Sequence, residues 1–281
     1  MLTITDHRRD SLGLKYIYVV DSRRSGGLSI GINLNTNNAC NWRCIYCQVP
    51  DLKHGTAPEA NLELLEHELV TVLCDISDGV FFEKYKICPG NRGIRDLAIS
   101  GNGEPTTCKN FDQVISLAGR VLDSSGLADR IKPVLITNGS LVNHTTVKKG
   151  IAYLSELNGE VWFKLDSATS EGIKKINNAA ISITKIKKHL EITANLCPTW
   201  IQSCVFGLEG MPLSKPEQEE YIRFLSSLSG RTPLLKGILL YSIARPSQQA
   251  EASALSRLPF EWLDQFAKKI NKTGLEVIIN T

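Results

Sequence analysis

The chain has 281 residues, 42% hydrophobic and 22% charged, with 32 basic and 29 acidic side chains for a net charge of +3. That balance belongs to an ordinary folded domain, excludes a disordered or low-complexity chain, and neither demands nor forbids a polyanionic partner. No apolar run is long enough to span a bilayer and the opening MLTITDHRRD lacks an apolar export core, so the expectation is a cytoplasmic protein with no membrane partner.

Short β-rich runs alternate with helical patterns along nearly the whole length. The first strand is expected at residues 28–34, directly before the loop CNWRCIYC with Cys40, Cys44 and Cys47. A helix follows in which Leu62, Leu65, Leu69, Leu73 and Ile76 make one apolar stripe, with Cys74 near its buried side. The second strand, 97–100, runs into Gly101-Asn102-Gly103-Glu104-Pro105-Thr106. Phe111, Val114, Ile115, Ala118, Val121 and Leu122 then predict a helix with Asn110 as N-cap and Gly126 as stop. Strands at 134–137, 161–166, 200–206 and 238–242 alternate with helices at about 144–157, 182–195, 216–229 and 260–272, and a seventh strand is expected at 275–279. Pro216 near one helix start and Gly159, Gly230 and Gly274 after three ends punctuate the pattern. Six strand–loop–helix units joined in parallel define an α/β fold, read as one domain over 1–281 with its core at about 27–245 and a terminal helix and strand at about 259–280.

Three thiols gathered on one short loop are soft ligands that suit iron–sulfur clusters or zinc. A four-iron cubane takes four ligands, so three cysteines leave one iron open to bind something else. The alternative is structural zinc, with His54, seven residues after Cys47, completing a Cys3His set. Eight cysteines with three at metal-ligand spacing fit a reducing compartment better than a disulfide scaffold, and Cys88, Cys108 and Cys197 lack the short spacing of a second cluster.

The Cys-x3-Cys-x2-Cys spacing, with Tyr46 before the third cysteine, resembles the signature of the radical S-adenosylmethionine (radical SAM) superfamily. That resemblance implies an open partial TIM barrel, (β/α)6, with a C-terminal extension and its site at the carboxyl ends of the strands. It implies a 4Fe-4S cluster on Cys40, Cys44 and Cys47, SAM on the open iron, and an external one-electron donor of the flavodoxin or ferredoxin type. The expected reaction is reductive cleavage of SAM followed by hydrogen abstraction, and oxygen sensitivity goes with it. Asn102-Gly103-Glu104 resembles the family's Gly-Gly-Glu element, which binds the amino group of SAM, with Asn102 in place of the first glycine. Thr137-Asn138-Gly139 resembles the Thr-Asn-Gly strand end near SAM, which makes Asn138 a cofactor or substrate ligand; a turn or helix cap is the other reading.

Alternation along 161–166 turns Trp162, Lys164 and Asp166 to one face and Val161, Phe163 and Leu165 to the other. The apolar set is expected against the helices, which points Lys164 and Asp166 into the barrel, where an ion pair or a ligand must satisfy both charges. In the next strand Gln202 and Cys204 face the cavity if Trp200 and Phe206 do, which makes Gln202 a cofactor ligand and Cys204 a hydrogen donor to a product radical or an inert buried thiol.

The run Asp21 to Leu34 and the stretch Ala244-Arg245-Pro246 resemble the branch related to wyosine-base tRNA synthases, without their flavodoxin domain or a cysteine before Cys40. Three readings follow. An enzyme acting on RNA, a nucleoside or another small molecule would use Arg23, Arg24 and Arg245 as phosphate or carboxylate ligands. A protein- or peptide-modifying, activase-like enzyme would carry a groove for an extended peptide. A zinc-stabilised binding module would not react with SAM. The basic pairs Arg8-Arg9, Lys148-Lys149, Lys174-Lys175 and Lys187-Lys188 read most simply as solvated faces.

Overall fold

The computed structural model describes residues 12–22, 27–85, 87, 92–228, 230 and 232–280. Arg8, Arg9, Arg23, Arg24 and Cys88 lie outside them. In chain order the elements are β1 (Ile17–Ser22), β2 (Gly27–Ile32), β3 (Ala39–Cys40), β4 (Lys53–His54), α1 (Leu62–Ser77), α2 (Val80–Lys84), β5 (Ile94–Ile99), α3 (Phe111–Ser124), β6 (Lys132–Thr137) and α4 (Thr145–Glu156). They continue with β7 (Glu160–Lys164), α5 (Ser170–Asn177), α6 (Ile183–Leu196), β8 (Thr199–Val205), β9 (Gly207–Leu208), α7 (Lys215–Ser226), β10 (Leu235–Ser242), β11 (Leu255–Ser256), α8 (Phe260–Asn271) and β12 (Glu276–Asn280).

Eight strands form one sheet in the order β1-β2-β5-β6-β7-β8-β10-β12. All neighbours from β2 to β12 pair in parallel, because each crossover carries helix; β1 pairs antiparallel with β2. β1 and β12 are the two edges, so the curved sheet is an open barrel. The six expected parallel strands are all present, and β12 adds a seventh to β10.

One alternating set of strand residues, such as Leu28, Ile30, Val161, Phe163 and Ile201, is 0% exposed and meets the helix faces in the main core. The inward set starts with a plug of Val134, Trp162 and Leu239 against Ile136 and Trp200. Polar positions come next along each strand, toward the carboxyl ends. Thus period two, with helices on one side only, builds an apolar outer wall, a closed floor and a polar mouth.

Several details depart from the expectations. β1, α2 and α5 are additions to them. β1 is anchored by Glu68 of α1, whose buried carboxylate accepts from the backbone N–H groups of Lys15, Tyr16 and Ile17 at 2.9, 2.8 and 3.2 Å. Tyr18 of β1 lies over Gly31, where a Cβ would stand 1.9 Å from the ring. Cys74 is exposed, not near the buried side, because the α1 stripe runs through Leu65, Leu69, Val72, Leu73 and Ile76 and leaves it outside the arc. Asn110 holds the N-cap position of α3 without capping it. Its side chain instead bridges both backbone groups of Ala60, at 3.0 and 2.9 Å.

Candidate active site

The cysteine loop leaves β2 and is closed by the short β3–β4 pair, in which Cys40 stands opposite His54. Two further segments grip it. The end of α5 offers the carbonyls of Ile176 and Asn177 to the N–H groups of Ile45 and Arg43, at 2.8 and 3.1 Å. The segment after β10 grips the other end: Ser247 Oγ donates to the Ile45 carbonyl at 2.7 Å, and the Gln248 N–H to that of Cys47 at 2.8 Å. A bidentate Arg43–Glu251 pair at 2.9 and 2.6 Å closes the outside. Both chain neighbours of Cys44 are therefore pinned by backbone bonds, which is what a multi-thiol ligand set needs.

Cys40, Cys44 and Cys47 are half-buried and line one cavity of about 300 Å³ at the carboxyl ends of the strands. Burial pushes the Cys40 and Cys44 thiols up to about 12, so a positive metal centre is what would draw off their protons. Asn177, 1% exposed, donates its amide N–H to Cys44 Sγ at 3.2 Å and to Asp166 Oδ2 at 2.9 Å. A carboxylate only accepts, so Asp166 fixes which end of that amide faces the sulfur.

Across the loop, Gly101 to Glu104 turns tightly after β5. A Cβ on Gly103 would stand 2.1 Å from the Ala39 carbonyl oxygen, so only glycine lets this turn press against the cysteine loop. Asn35 joins the two, donating to the carbonyls of Ala39 at 2.8 Å and Glu104 at 3.3 Å. Glu104 is 3% exposed and accepts from Thr106 Oγ1, Thr137 Oγ1 and the Asn138 N–H, each at 2.6 Å. Burial raises its carboxyl above the ordinary 4.5 despite those bonds, so the ionised group carries a desolvation cost that a cationic ligand would relieve. Asn138 donates to Asn41 Oδ1 at 2.9 Å and accepts from the Ser140 N–H at 3.0 Å, tying the β6 end to the cysteine loop.

On β7, Lys164 lines the cavity, 2.8 Å from Tyr241 Oη and 3.6 Å from Asp166 Oδ1, with Nζ over the Tyr46 ring at 5.1 Å. Burial works against its charge, but the charge of Asp166, with Tyr241, more than reverses that and holds the ammonium protonated. Asp166 also accepts from Tyr46 Oη and from the Cys204 N–H at 3.0 Å.

The structure thus brings together Cys40, Cys44, Cys47, Tyr46, Gly103, Glu104, Asn138, Lys164, Gln202 and Cys204 around one cavity. Asn102 is not among its lining. Its amide turns to Asn38 Oδ1 at 2.8 Å, because the turn points that side chain back along the loop. Asp166 also stands behind the lining, buried by its own bonds, so it positions Lys164 and Asn177. Arg245 lines the mouth, donating to Gln48 Oε1 at 3.0 Å. Asn35, Asn177, Tyr241 and Asn280 join the site without having been singled out by sequence reasoning. The Asn177-Asn178 pair does carry a signal, since asparagine after an amphipathic run is a helix end, and Asn178 adopts the left-handed conformation there (φ 49°).

No family model matches the chain. It is 24% identical over 217 residues to the GTPase Obg of Brachyspira hyodysenteriae, covering 74% of this chain and 28% of that protein. It is 22% identical over 158 residues to the UPF0026 protein slr1464 of Synechocystis, covering 56% and 50%. The chain therefore spans half or less of the length of these relatives. None of its 21 glycines precedes a lysine, so the phosphate-binding Gly-Lys of P-loop nucleotidases is not in this sequence. Among solved structures it is similar to TYW1 with a lysine–pyruvate adduct bound (TM-score 0.58, 16% identity, 87% of this chain and 73% of that one). A radical SAM methyltransferase from Sphaerobacter thermophilus (0.55, 14%, 93% and 67%) and a cysteine-to-alanine mutant of spore photoproduct lyase (0.52, 8%, 86% and 74%) also superpose. The chain adopts the open-barrel fold of the radical SAM enzymes.

Proposed function

We propose that the chain is a radical SAM enzyme acting on a small molecule or a nucleoside, free or in RNA. One observation carries this reading: three half-buried thiols and the buried Glu104 carboxylate face each other across one cavity. A 4Fe-4S cluster bound here and reduced by an external one-electron donor would supply the electron that splits SAM into methionine and a 5′-deoxyadenosyl radical, which would take hydrogen from substrate. Cys40, Cys44 and Cys47 would hold the cluster. Glu104 receives the amino group of SAM, Gly103 keeps the cofactor close to the backbone, and Asn138 fixes the loop beside it. Tyr46 and Trp42 wall the chamber from water, and Gln202 offers an unpartnered amide to cofactor or substrate. Cys204, 2% exposed with its proton held by burial, is placed to donate hydrogen to a product radical.

The zinc reading fits less well. Its candidate fourth ligand, His54, is exposed and lies outside the lining of the cavity that the three thiols share. The chamber of about 300 Å³ also has the size of a small-molecule site. One structural neighbour holds a lysine–pyruvate adduct. Lys164 is the one lysine among the described residues that lines the cavity here, and its proton is held by Asp166, so it serves as a cation and not as an amine nucleophile.

The test is anaerobic reconstitution with iron and sulfide, reduction, and addition of SAM. 5′-Deoxyadenosine forms, and Cys40→Ala, Cys44→Ala or Cys47→Ala abolishes it. A colourless protein with stoichiometric zinc and no nucleoside product overturns the proposal.

A further inference from the structure

The cavity wall opposite Glu104 is short of acceptors. Gln202 is 1% exposed and its amide nitrogen has no hydrogen-bond partner; the buried amide nitrogen of Asn280 on the same wall has none either. A buried N–H without a partner costs stability, and such groups in native folds call for an explanation. Strand register places them well. Gln202 stands beside Lys164 across β7–β8, Asn280 stands beside Tyr241 across β10–β12, and the Lys164–Tyr241 bond of 2.8 Å links the two pairs. The donors Lys164, Gln202 and Asn280 and the Tyr241 hydroxyl, from four successive strands, therefore share one surface.

Lys164 retains capacity there. An ammonium has three protons; one goes to Tyr241 and one faces Asp166 at 3.6 Å, which leaves a third. The floor beneath is the apolar Trp162–Trp200 layer, which raises the worth of each charged contact above it.

We infer that Lys164, Gln202, Tyr241 and Asn280 form a subsite for a carboxylate, with Lys164 supplying the charge and the two amides flanking N–H donors. The carboxylate comes from a substrate sharing the chamber with SAM, and only that source rests on the function proposed above. The substrate is therefore an organic acid or carries a carboxyl group. The subsite lies across the chamber from Glu104, so one wall takes a cation and the other an anion.

The test titrates acetate into the reconstituted 281-residue chain at constant ionic strength, with chloride as the reference anion, following melting temperature and tryptophan fluorescence. Wild type gives a saturable acetate response. Lys164→Met weakens it about tenfold or more, and Lys164→Arg retains most of it. Gln202→Leu weakens it several-fold yet raises the melting temperature without acetate, because it removes a buried group that has no partner. The response persists under saturating SAM, and its competitive loss there overturns the inference. Acetate acting as chloride does, or unchanged acetate binding in Lys164→Met and Gln202→Leu, overturns the inference. A protein that cleaves SAM without binding acetate refutes this subsite alone, and one that binds acetate without cleaving SAM refutes the radical chemistry alone.

Discussion

Asn177→Leu tests whether the bond network behind the cysteine loop holds the site in place. The substitution keeps the branched four-atom shape of the side chain and removes both amide donors, to Cys44 Sγ at 3.2 Å and to Asp166 Oδ2 at 2.9 Å. Asp166, 4% exposed, keeps its bonds from Tyr46 and the Cys204 N–H, so it loses one of three hydrogen bonds and is not left bare. A hydrogen bond to a charged group is worth about 1.5–3 kcal/mol. For a chain of 281 residues the unfolding entropy is about 0.6 kcal/mol/K, so a loss near 2 kcal/mol lowers the melting temperature by about 3–4 °C. Thermal denaturation of the cluster-free protein measures this. The control is Asn178→Gly, which removes an exposed bond to the Arg43 carbonyl but relaxes a left-handed residue, and it shifts melting by less than about 2 °C. In the reconstituted protein, loss of an N–H donor to a ligand sulfur moves the cluster potential to a more negative value, read by potentiometric EPR titration. Unchanged melting and unchanged potential in Asn177→Leu would refute the argument that α5 positions Cys44.

Three further outcomes follow from the geometry. Gly103→Ala forces a Cβ to within 2.1 Å of the Ala39 carbonyl oxygen, so the cysteine loop must shift and iron bound per chain after reconstitution falls several-fold; full loading would contradict the close approach. Glu104 has its carboxyl raised by burial, so it contributes stability below the ordinary 4.5 that is lost as pH rises through the raised value. Glu104→Gln removes this pH dependence, and its amide nitrogen meets a donor in place of one carboxylate oxygen. SAM binding to wild type strengthens as Glu104 ionises, whereas the variant binds weakly at every pH; parallel stability and binding profiles would contradict this. Glu68→Ala strips three backbone N–H groups of their acceptor and destabilises the fold by about 3 kcal/mol or more, with hydrogen exchange rising first at residues 15–20; protection there equal to wild type would contradict the anchoring role.

The parallel barrel was legible because its strands repeat one pattern. Val161, Phe163 and Leu165 alternate with Trp162, Lys164 and Asp166, and the helices between strands carry apolar stripes of period 3.6. β1 was not legible, since its pairing depends on Glu68, 51 to 53 residues away, and no local pattern announces that. The short α5 was hidden because only Ile173 and Ile176 mark its buried face among lysines and asparagines. At the site, the cysteines were readable from their spacing and the Gly-Glu turn from its resemblance to the family's Gly-Gly-Glu element. Asp166 was placed on the correct face, but its direction did not reveal that bonds from Tyr46, Asn177 and Cys204 would bury it behind Lys164. Asn35 and Asn280 join the site through contacts between distant strands, so only the folded chain identifies them.

The most direct test of the account is Mössbauer spectroscopy of the iron-57-reconstituted protein before and after SAM is added. Three thiolate ligands leave one iron of the four without protein sulfur, so SAM should change the parameters of one quarter of the iron and leave the rest unaltered. Four irons that stay equivalent with saturating SAM, or a protein that takes up zinc in place of the cluster, would contradict it.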